Sequence, residues 1–256
     1  MHSIYFSYDG IRSDYLGVYL VHLNSDLVTD PFLGERQIIS ESIVGNDIPY
    51  IYNVQTNPLQ VTITLSCLDG YWTLDKRREL ARLLDQKKFC EFFSTSNIDK
   101  LYYLQYIGGI DISTNRALQG YLTVKFINIS PYSYSSVYEH VKDLSSITEP
   151  TMTTFENIGD NILYPEMWIQ KIGTGDVSIR NFSNSGAEFK FTNLLDQEII
   201  YLDNRPNHHY IKTNLVNTYR YDNFNGNYLE LPRGVNRLEV TGACKIKFLY
   251  QFELKG

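Results

Sequence analysis

The sequence predicts a mainly β protein, all-β apart from one α-helix, built as two domains. Its 256 residues include 21 Tyr and 13 Phe, residue types that favour strands. Most of the chain consists of short segments in which apolar and polar residues alternate, and turn residues separate these segments. A single segment has the spacing of an amphipathic helix. These observations predict an N-terminal β-sandwich or split-barrel-like domain with one helix, followed by a C-terminal jelly-roll β-sandwich.

The first expected element is a hairpin in FSYDGIRSDYLGVYL, residues 6–20. Its two ends alternate as strands do, and the Asp9-Gly10 pair between them is a turn signal. Aromatic residues are expected on both faces of this short hairpin, which is more than one half-buried sheet requires. We expect some of them to contact another protein, and the candidates are Tyr5, Tyr8, Tyr15 and Tyr19.

A second hairpin is predicted after a loop around Asp30-Pro31. The segment ERQIISESIVGNDIPYIYNVQTNP, residues 35–58, contains two strand-like parts around a Gly45-Asn46-Asp47 turn. We expect this hairpin to protrude from the domain and to contribute to the same protein contacts. Its candidate contact residues are Ile43, Val44, Tyr50 and Tyr52.

A strand and then the helix are expected next. LQVTITLSCL, residues 59–68, alternates apolar and polar residues and predicts a strand. In TLDKRRELARLLDQKK, residues 73–88, Thr73 is the expected N-cap and Lys87-Lys88 are expected in the last turn. The apolar stripe of this helix consists of Leu74, Leu80, Ala81, Leu83 and Leu84.

The domain division follows from the remaining pattern. KFCEFFS, LYYLQYI and GYLTVKFINISPYSYSS predict three more strands, and the N-terminal domain is expected to span residues 1–138. Residues 139–150 are polar, weakly patterned and end in a proline, which predicts a linker. Residues 151–256 contain eight or nine short strand-like segments, NYLELP among them, and no helix. This density of strands predicts the C-terminal sandwich.

Charge and cysteine content exclude several classes of function. The formal net charge is −6, with 12 basic and 17 acidic residues before Pro150. An acidic surface gains nothing from counterion release, so we expect no direct nucleic-acid binding. No leader sequence and no apolar run of roughly 18 residues is present, which predicts a soluble protein made in the cytosol, without a membrane partner. The three cysteines are far apart and predict core residues, not disulfides.

The residues that could carry catalysis or bind a ligand are better explained as structural residues. His208-His209, with Asp203 and His140, is a poor metal site because adjacent strand residues point to opposite faces. The dispersed carboxylates Asp196, Glu198 and Asp203 do not qualify as a glycosidase pair, because spacing along a strand shows neither the separation nor the raised pKa that such a pair needs. No nucleophile or phosphate-loop motif occurs. We therefore expect no enzyme, no metal and no cofactor. One alternative stays open, a sugar-binding face lined by Trp168, Tyr201, His208, His209 and Tyr210.

The order of these segments resembles the distal tail protein family of long-tailed, non-contractile bacteriophages. The resemblance covers essentially the whole chain. Gly45 is followed by Asn46, Asp47, Ile48 and Pro49, whereas family members often carry an Arg-Asp-Gly-like turn there, and no long insertion is present. The segments that carry the resemblance are FSYDGIRSDYLGVYL, ERQIISESIVG, VTITLSCLDGYWTLDKRRELARLLD, YLTVKFINISPYSYSS, FENIGDNILYPEMWIQ and LPRGVNRLEV.

The resemblance implies a structural virion protein at the tail tip. Six copies would form a hub ring, single or stacked as two rings, with the N-terminal domains in the ring and galectin-like C-terminal sandwiches facing outward. The implied partners are the major tail tube protein, a tail-associated fibre or spike protein and receptor-binding proteins. DNA would pass through the ring without binding to it. The alternative function is a carbohydrate-binding adhesion module that recognises host surface polysaccharide.

Overall fold

The protein is described by a computed structural model that covers residues 4–21, 33–95 and 97–256, with the backbone alone at residues 109–111. The loop predicted around Asp30-Pro31 lies outside the described residues. The chain divides into two compact units, Met1–Ser135 with Lys255–Gly256, and Ser136–Leu254. Both units are almost entirely β, as the sequence predicts.

The N-terminal unit contains one helix and ten strands in its described part. They are β1 (Phe6–Tyr8), β2 (Ile11–Arg12), β3 (Val18–Leu20), β4 (Arg36–Glu41), β5 (Tyr50–Thr56), β6 (Gln60–Cys67), α1 (Leu74–Leu84), β7 (Cys90–Ser94), β8 (Asn97–Thr114), β9 (Gly120–Asn128) and β10 (Ser133–Tyr134).

Seven of these strands form an antiparallel half-barrel in the order β2-β1-β7-β8-β9-β6-β3, and β10 pairs with β8. The predicted alternation in β6 is confirmed, because Val61, Ile63 and Leu65 are buried. The opening hairpin is confirmed at the Asp9-Gly10 turn, but its second strand is only two residues long. The chain then turns again before β3, which pairs with β6.

The helix covers the core of the half-barrel. Thr73 is its N-cap, and the side-chain oxygen accepts a hydrogen bond from the backbone N–H of Lys76 at 3.4 Å. Leu80, Leu83 and Leu84 are buried, as the stripe predicts. The prediction is wrong for the other two residues of the stripe, because Leu74 and Ala81 are exposed. The helix also ends at Leu84, before the two lysines expected in its last turn.

The predicted second hairpin is confirmed as a separate two-stranded sheet of β4 and β5. The tip has the geometry of a type II turn, in which the N–H of Asn46 donates to Ile43 O at 3.0 Å and Gly45 has a φ of 89°. At the base, the N–H of Asn57 donates to Glu35 O at 2.8 Å. A Cβ on Gly34 would lie 2.4 Å from Asn57 O, so glycine permits this close crossing of the two ends.

The C-terminal unit is a two-sheet sandwich, as predicted. One sheet has the order β11-β19-β13-β16-β17 and the other β12-β18-β14-β15. Apolar residues from both sheets form a common core. The strands are β11 (Tyr138–Leu144), β12 (Thr151–Asn157), β13 (Glu166–Lys171), β14 (Gly175–Asn181), β15 (Ala187–Leu194), β16 (Ile199–Asp203), β17 (Tyr210–Thr213), β18 (Gly234–Thr241), β19 (Cys244–Tyr250) and β20 (Glu253–Leu254).

Strand β11 corrects the predicted linker. Residues 139–144 belong to a seven-residue strand that pairs with β19 along its whole length, and only 145–150 remain as a connection. Two of its inward-facing positions are His140 and Lys142, so the strand lacks the alternation of apolar and polar residues that would indicate it. Glu139 and Asp143 bind Lys247 and Lys245 of β19 at 3.0 and 3.2 Å.

The strand predicted at NYLELP, residues 227–232, is also wrong. Apart from an isolated backbone bridge between Leu231 and Leu163, buried asparagine side chains bind this segment where a neighbouring strand would. The N–H of Leu229 donates to Asn204 Oδ1 at 2.8 Å, and Asn157 Nδ2 donates to Leu231 O at 2.9 Å. Asn181 Nδ2 donates to the carbonyl of residue 230 at 3.0 Å. Backbone groups satisfied in this way need no ladder partner.

Candidate interaction surfaces

The β4–β5 hairpin is apolar and exposed on both of its faces. Every residue of β4 and all but the last residue of β5 are exposed. Ile38 and Ile39 are consecutive in one strand, so they point to opposite faces, and both are exposed. The other exposed apolar residues of the hairpin are Ile43, Val44, Ile48, Tyr50, Ile51, Tyr52 and Val54. A two-stranded sheet of this composition needs a covering partner.

The structure separates the sequence-predicted contact residues into three groups. Ile43, Val44, Tyr50 and Tyr52 lie together on the hairpin, as expected. Tyr15 is exposed elsewhere on the unit, and Tyr5 and Tyr19 are half-buried. The prediction is wrong for Tyr8, which is fully buried and packs beside Phe126 with the two rings tilted. Its hydroxyl donates to Leu104 O at 3.4 Å, and burial raises the pKa of this phenol.

Sequence reasoning missed four of the five isoleucines of the hairpin. The missed residues are Ile38, Ile39, Ile48 and Ile51, together with Val54. The signal for them was present, because II in β4 and YIY in β5 place apolar residues at consecutive positions. Consecutive apolar residues in a strand indicate that both faces are covered.

The C-terminal sandwich carries an aromatic row on the outer face of its five-stranded sheet. Lys247, Trp168 and Tyr201 lie directly opposite one another on β19, β13 and β16. The Lys247 ammonium lies 4.8 Å from the Trp168 ring centroid, and the Tyr201 centroid is 4.9 Å from it. Both partners occupy surface that a stacked sugar ring would need.

Of the remaining residues of the suggested sugar face, Tyr210 lies at the end of this row, whereas the two histidines have other partners. Tyr210 lies 6.2 Å from Tyr201, centroid to centroid, and is exposed. His209 stacks on Tyr228 at 3.9 Å, whereas His208 Nδ1 contacts Asp203 Oδ2 at 3.1 Å. The two histidines therefore have different partners. Within the part of the chain that the structure describes, no group of three His, Cys, Asp or Glu residues is arranged to hold a metal ion.

Two buried carboxylates of this unit are paired with arginines. Asp203 receives a bidentate contact from Arg205, with the shortest N–O distance 2.6 Å. Glu198 is bound by Arg220 at 2.6 and 2.7 Å and also accepts from the Thr213 hydroxyl. Burial by itself raises the pKa of each carboxyl, but the hydrogen bonds outweigh it and both pKa values are lowered.

The Glu198–Arg220 pair anchors the loop that follows β17. Arg220 also donates to Asn223 Oδ1 at 3.1 Å, and Phe224 stacks on Phe191 at 4.9 Å. The pairing was not predictable from the sequence, because Glu198 and Arg220 are 22 positions apart and neither belongs to a motif. Asp196, the third carboxylate considered, accepts from the N–H of Gly173 at 2.7 Å. All three carboxylates thus stabilise the fold.

The three cysteines are buried free thiols, as predicted for core residues. Burial raises the pKa of Cys67 and of Cys90, and raises that of Cys244 to about 11. Among the described residues, no helix is long and apolar enough to cross a bilayer.

Comparisons with known proteins define the class to which this chain belongs. Residues 1–130 match the family model described as a phage tail protein N-terminal domain, and residues 132–250 match a phage tail C-terminal domain. The chain belongs to this phage tail protein family. It is 26% identical over 253 residues to the SPbeta prophage-derived uncharacterized protein YomH of Bacillus subtilis (strain 168), covering 98% of each chain.

Solved structures confirm the predicted resemblance to distal tail proteins at the level of the fold. The chain matches the crystal structure of SPP1 Dit (gp 19.1) with a TM-score of 0.70 at 14% identity, covering 97% of this chain and 98% of that one. That protein is described as a paradigm of the hub adsorption apparatus in phages that infect Gram-positive bacteria. A chain of the activated phage P2 baseplate with Ca matches with a TM-score of 0.50 at 11% identity, covering 92% and 90%.

Proposed function

We propose that this protein is the hub subunit at the distal end of a phage tail, and that six copies form a ring. The ring joins the tail tube protein on one side to the fibre or spike apparatus and its receptor-binding proteins on the other. It leaves a central channel for DNA. The protein performs no catalysis and needs no metal or cofactor. It is made in the host cytoplasm and functions in the virion tail tip.

The exposed apolar β4–β5 hairpin is the observation that carries this proposal. A monomer in water would leave nine large apolar side chains of one small sheet uncovered. Burying them against another subunit releases about 25 cal/mol for each square ångström of apolar surface removed from water. Membership of a phage tail protein family and the Dit-like fold support a ring as the assembly that covers them.

Size-exclusion chromatography with light scattering tests the ring. The full chain is expected at about six times its mass of 29.7 kDa. Deleting residues 40–56 removes most of the hairpin without touching the half-barrel, so this variant should run as a monomer. A folded deletion variant of hexameric mass would show that the hairpin is not the ring contact.

The absence of DNA binding is a second testable part of the proposal. The residues before Pro150 carry a net charge of −5, and part of this charge is placed at the lumen so that passing DNA does not adhere. A gel-shift assay at low salt should show no retention of duplex DNA. Micromolar retention would contradict the proposed channel.

The C-terminal sandwich acts as a peripheral platform in this proposal. The packing of Lys247 and Tyr201 against Trp168 favours a structural role over sugar binding. Titration calorimetry with host wall polysaccharide should detect no binding tighter than millimolar. Submillimolar binding would instead support the adhesion-module alternative.

A further inference from the structure

A second exposed apolar patch lies on the N-terminal unit, at the end opposite to the hairpin. We name it the apex patch, and it consists of Tyr15, Leu68, Tyr71, Leu74 and Leu118. Three chain segments meet there. The N–H of Leu68 donates to Gly17 O at 2.8 Å, which joins the turn before β3 to the end of β6. The N–H of Trp72 donates to Leu118 O at 2.8 Å, which joins the β6–α1 loop to the β8–β9 turn.

The apex patch is held rigidly from below. Trp72 is buried, and its indole N–H donates to Gly120 O at 2.9 Å. Lys76 forms a 2.6 Å ion pair with Asp69 across the same loop. The loops are therefore pinned to the half-barrel while the apolar side chains of the patch project outward. A preorganised apolar surface loses little conformational entropy when a partner covers it.

Strand β6 separates the hairpin from the apex patch. The hairpin joins the sheet at Asn57, three residues before β6 begins, and Leu68 follows directly after β6 ends. Eight residues of strand span roughly 26 Å. Strand β9 runs antiparallel to β6 between the same two ends. It begins at Gly120 at the patch end, and at the hairpin end the N–H of Asn128 donates to Leu59 O.

The two surfaces have opposite charge. The hairpin segment 35–57 contains one basic and three acidic residues, a net charge of −2. The patch segments 12–17, 68–78 and 115–121 contain five basic and three acidic residues, a net charge of +2. Asp47 near the hairpin tip and Arg116 beside Leu118 are exposed and form no ion pair among the described residues. Charge of opposite sign favours association of the two surfaces and disfavours association of like surfaces.

We propose that the apex patch is the receptor for the β4–β5 hairpin of a second copy of this chain. The contact is head-to-tail, because each subunit offers the hairpin at one end and the patch at the other. Head-to-tail contacts close into rings when the rotation between subunits allows it, whereas a hairpin-to-hairpin contact would stop at a dimer. This inference rests on the proposed ring and names the surface that completes it.

Two complementary double variants test the proposal in the full-length chain. The hairpin variant carries Val44→Asp and Ile48→Asp, and the patch variant carries Leu68→Asp and Leu74→Asp. All four side chains are exposed, so both variants should fold. A control variant carries Val216→Asp and Tyr219→Asp, two exposed residues of the C-terminal unit, and should keep the wild-type mass.

Each test variant alone should run as a monomer in light scattering. An equimolar mixture should form a dimer of about twice the chain mass, because one intact hairpin then meets one intact patch and the chain of contacts cannot extend. Two results would overturn the head-to-tail contact: a patch variant that keeps the wild-type oligomeric mass, and a mixture that stays monomeric. Neither result would contradict the proposed ring itself. A monomeric wild-type chain would overturn the proposed ring itself.

Discussion

Glu198 and Arg220 form an ion pair with almost no exposed surface in the C-terminal unit. Their side chains are 0% and 10% exposed, and the Glu198 carboxylate also accepts from Thr213 and from the N–H of Leu195. Such a pair contributes little net stability compared with an apolar replacement, but removing one partner leaves the other charge buried. The pair therefore fixes the loop after β17 in one position.

We predict that Glu198→Gln lowers the free energy of unfolding by about 3–5 kcal/mol, because the Arg220 guanidinium loses its counter-charge. Urea denaturation followed by circular dichroism measures this. Glu188→Gln is the matched control, since the Arg180–Glu188 pair is exposed and its N–O distance is 3.7 Å. The control should change the free energy by less than about 1 kcal/mol. Equal effects of the two substitutions would contradict the structural role of the buried pair.

Acid should destabilise the C-terminal unit through the same carboxylates. The folded-state pKa values of Glu198 and Asp203 lie below their ordinary values, so their contribution is present above the unfolded-state pKa. It is lost as the pH falls through the folded-state values. We predict that the free energy of unfolding declines from about pH 5 downward. The Glu198→Gln variant should decline less steeply than the wild type, and parallel curves would refute the assignment.

Gly242 lies where the backbone passes so close to Asp176 that only glycine fits. Its φ is 90°, and a Cβ would lie 2.2 Å from Asp176 O. Gly173 has a φ of 70° with nothing within 4 Å of its Cβ position. We predict that Gly173→Ala costs about 1–2 kcal/mol, the left-handed backbone cost alone. Gly242→Ala should cost clearly more in thermal denaturation, because a backbone oxygen must move as well. Equal costs would show that the crossing relaxes freely.

Among the elements, the five-stranded sheet of the sandwich is stabilised on its outer face by the row of Lys247, Trp168 and Tyr201. The Tyr201 hydroxyl donates to Glu166 Oε2 at 2.8 Å, and burial together with this hydrogen bond raises the pKa of Tyr201. Cross-strand neighbours of this kind each contribute a few tenths to about 1 kcal/mol. The row therefore supports the strand register.

We predict that Trp168→Ala destabilises the sandwich by about 1–3 kcal/mol, since it removes two neighbouring contacts in the middle of the sheet. Tyr210→Ala is the control at the exposed end of the row and should cost less. Chemical denaturation with far-ultraviolet circular dichroism measures both. If Trp168→Ala left stability unchanged but altered binding to wall polysaccharide, the structural role of the row would be wrong.

For the whole molecule, the position of β11 decides where the C-terminal unit begins. Its seven backbone pairs with β19 and the packing of Leu144 on the core belong to the sandwich. We predict that a fragment of residues 136–254 unfolds cooperatively as a monomer. A fragment of residues 151–254 should aggregate or unfold at lower urea, because the edge of β19 is left open. Equal stability of the two fragments would support the predicted linker over the observed strand.

We predict that the N-terminal unit alone carries the contacts for assembly. A chain that ends at Ser135 retains the hairpin and the apex patch, and we expect it to keep the oligomeric state of the full chain. Trp72 and Trp168 lie in different units, so tryptophan fluorescence of Trp72→Phe and Trp168→Phe variants reports the unfolding of each unit separately.

The sequence by itself determined the class of fold, the helix with its Thr73 cap, the protruding hairpin and the two-sheet sandwich. These features are local, because the period of the apolar pattern and the turn residues are readable within one segment. Two elements were predicted wrongly because their structure depends on contacts with distant segments. The edge strand β11 looks polar, and NYLELP looks like a strand although side chains of distant asparagines bind its backbone.

Only the tertiary structure decided which exposed positions meet. Tyr8 and Tyr15 are seven residues apart in one aromatic stretch, yet Tyr8 is in the core and Tyr15 is on the apex patch. Glu198 and Arg220, and the three loops of the apex patch, are brought together by strand pairing between distant segments. Strand pairing is non-local, so neither composition nor periodicity specifies these partners. The opposite placement of hairpin and patch, on which the proposed assembly depends, is a property of the folded sheet.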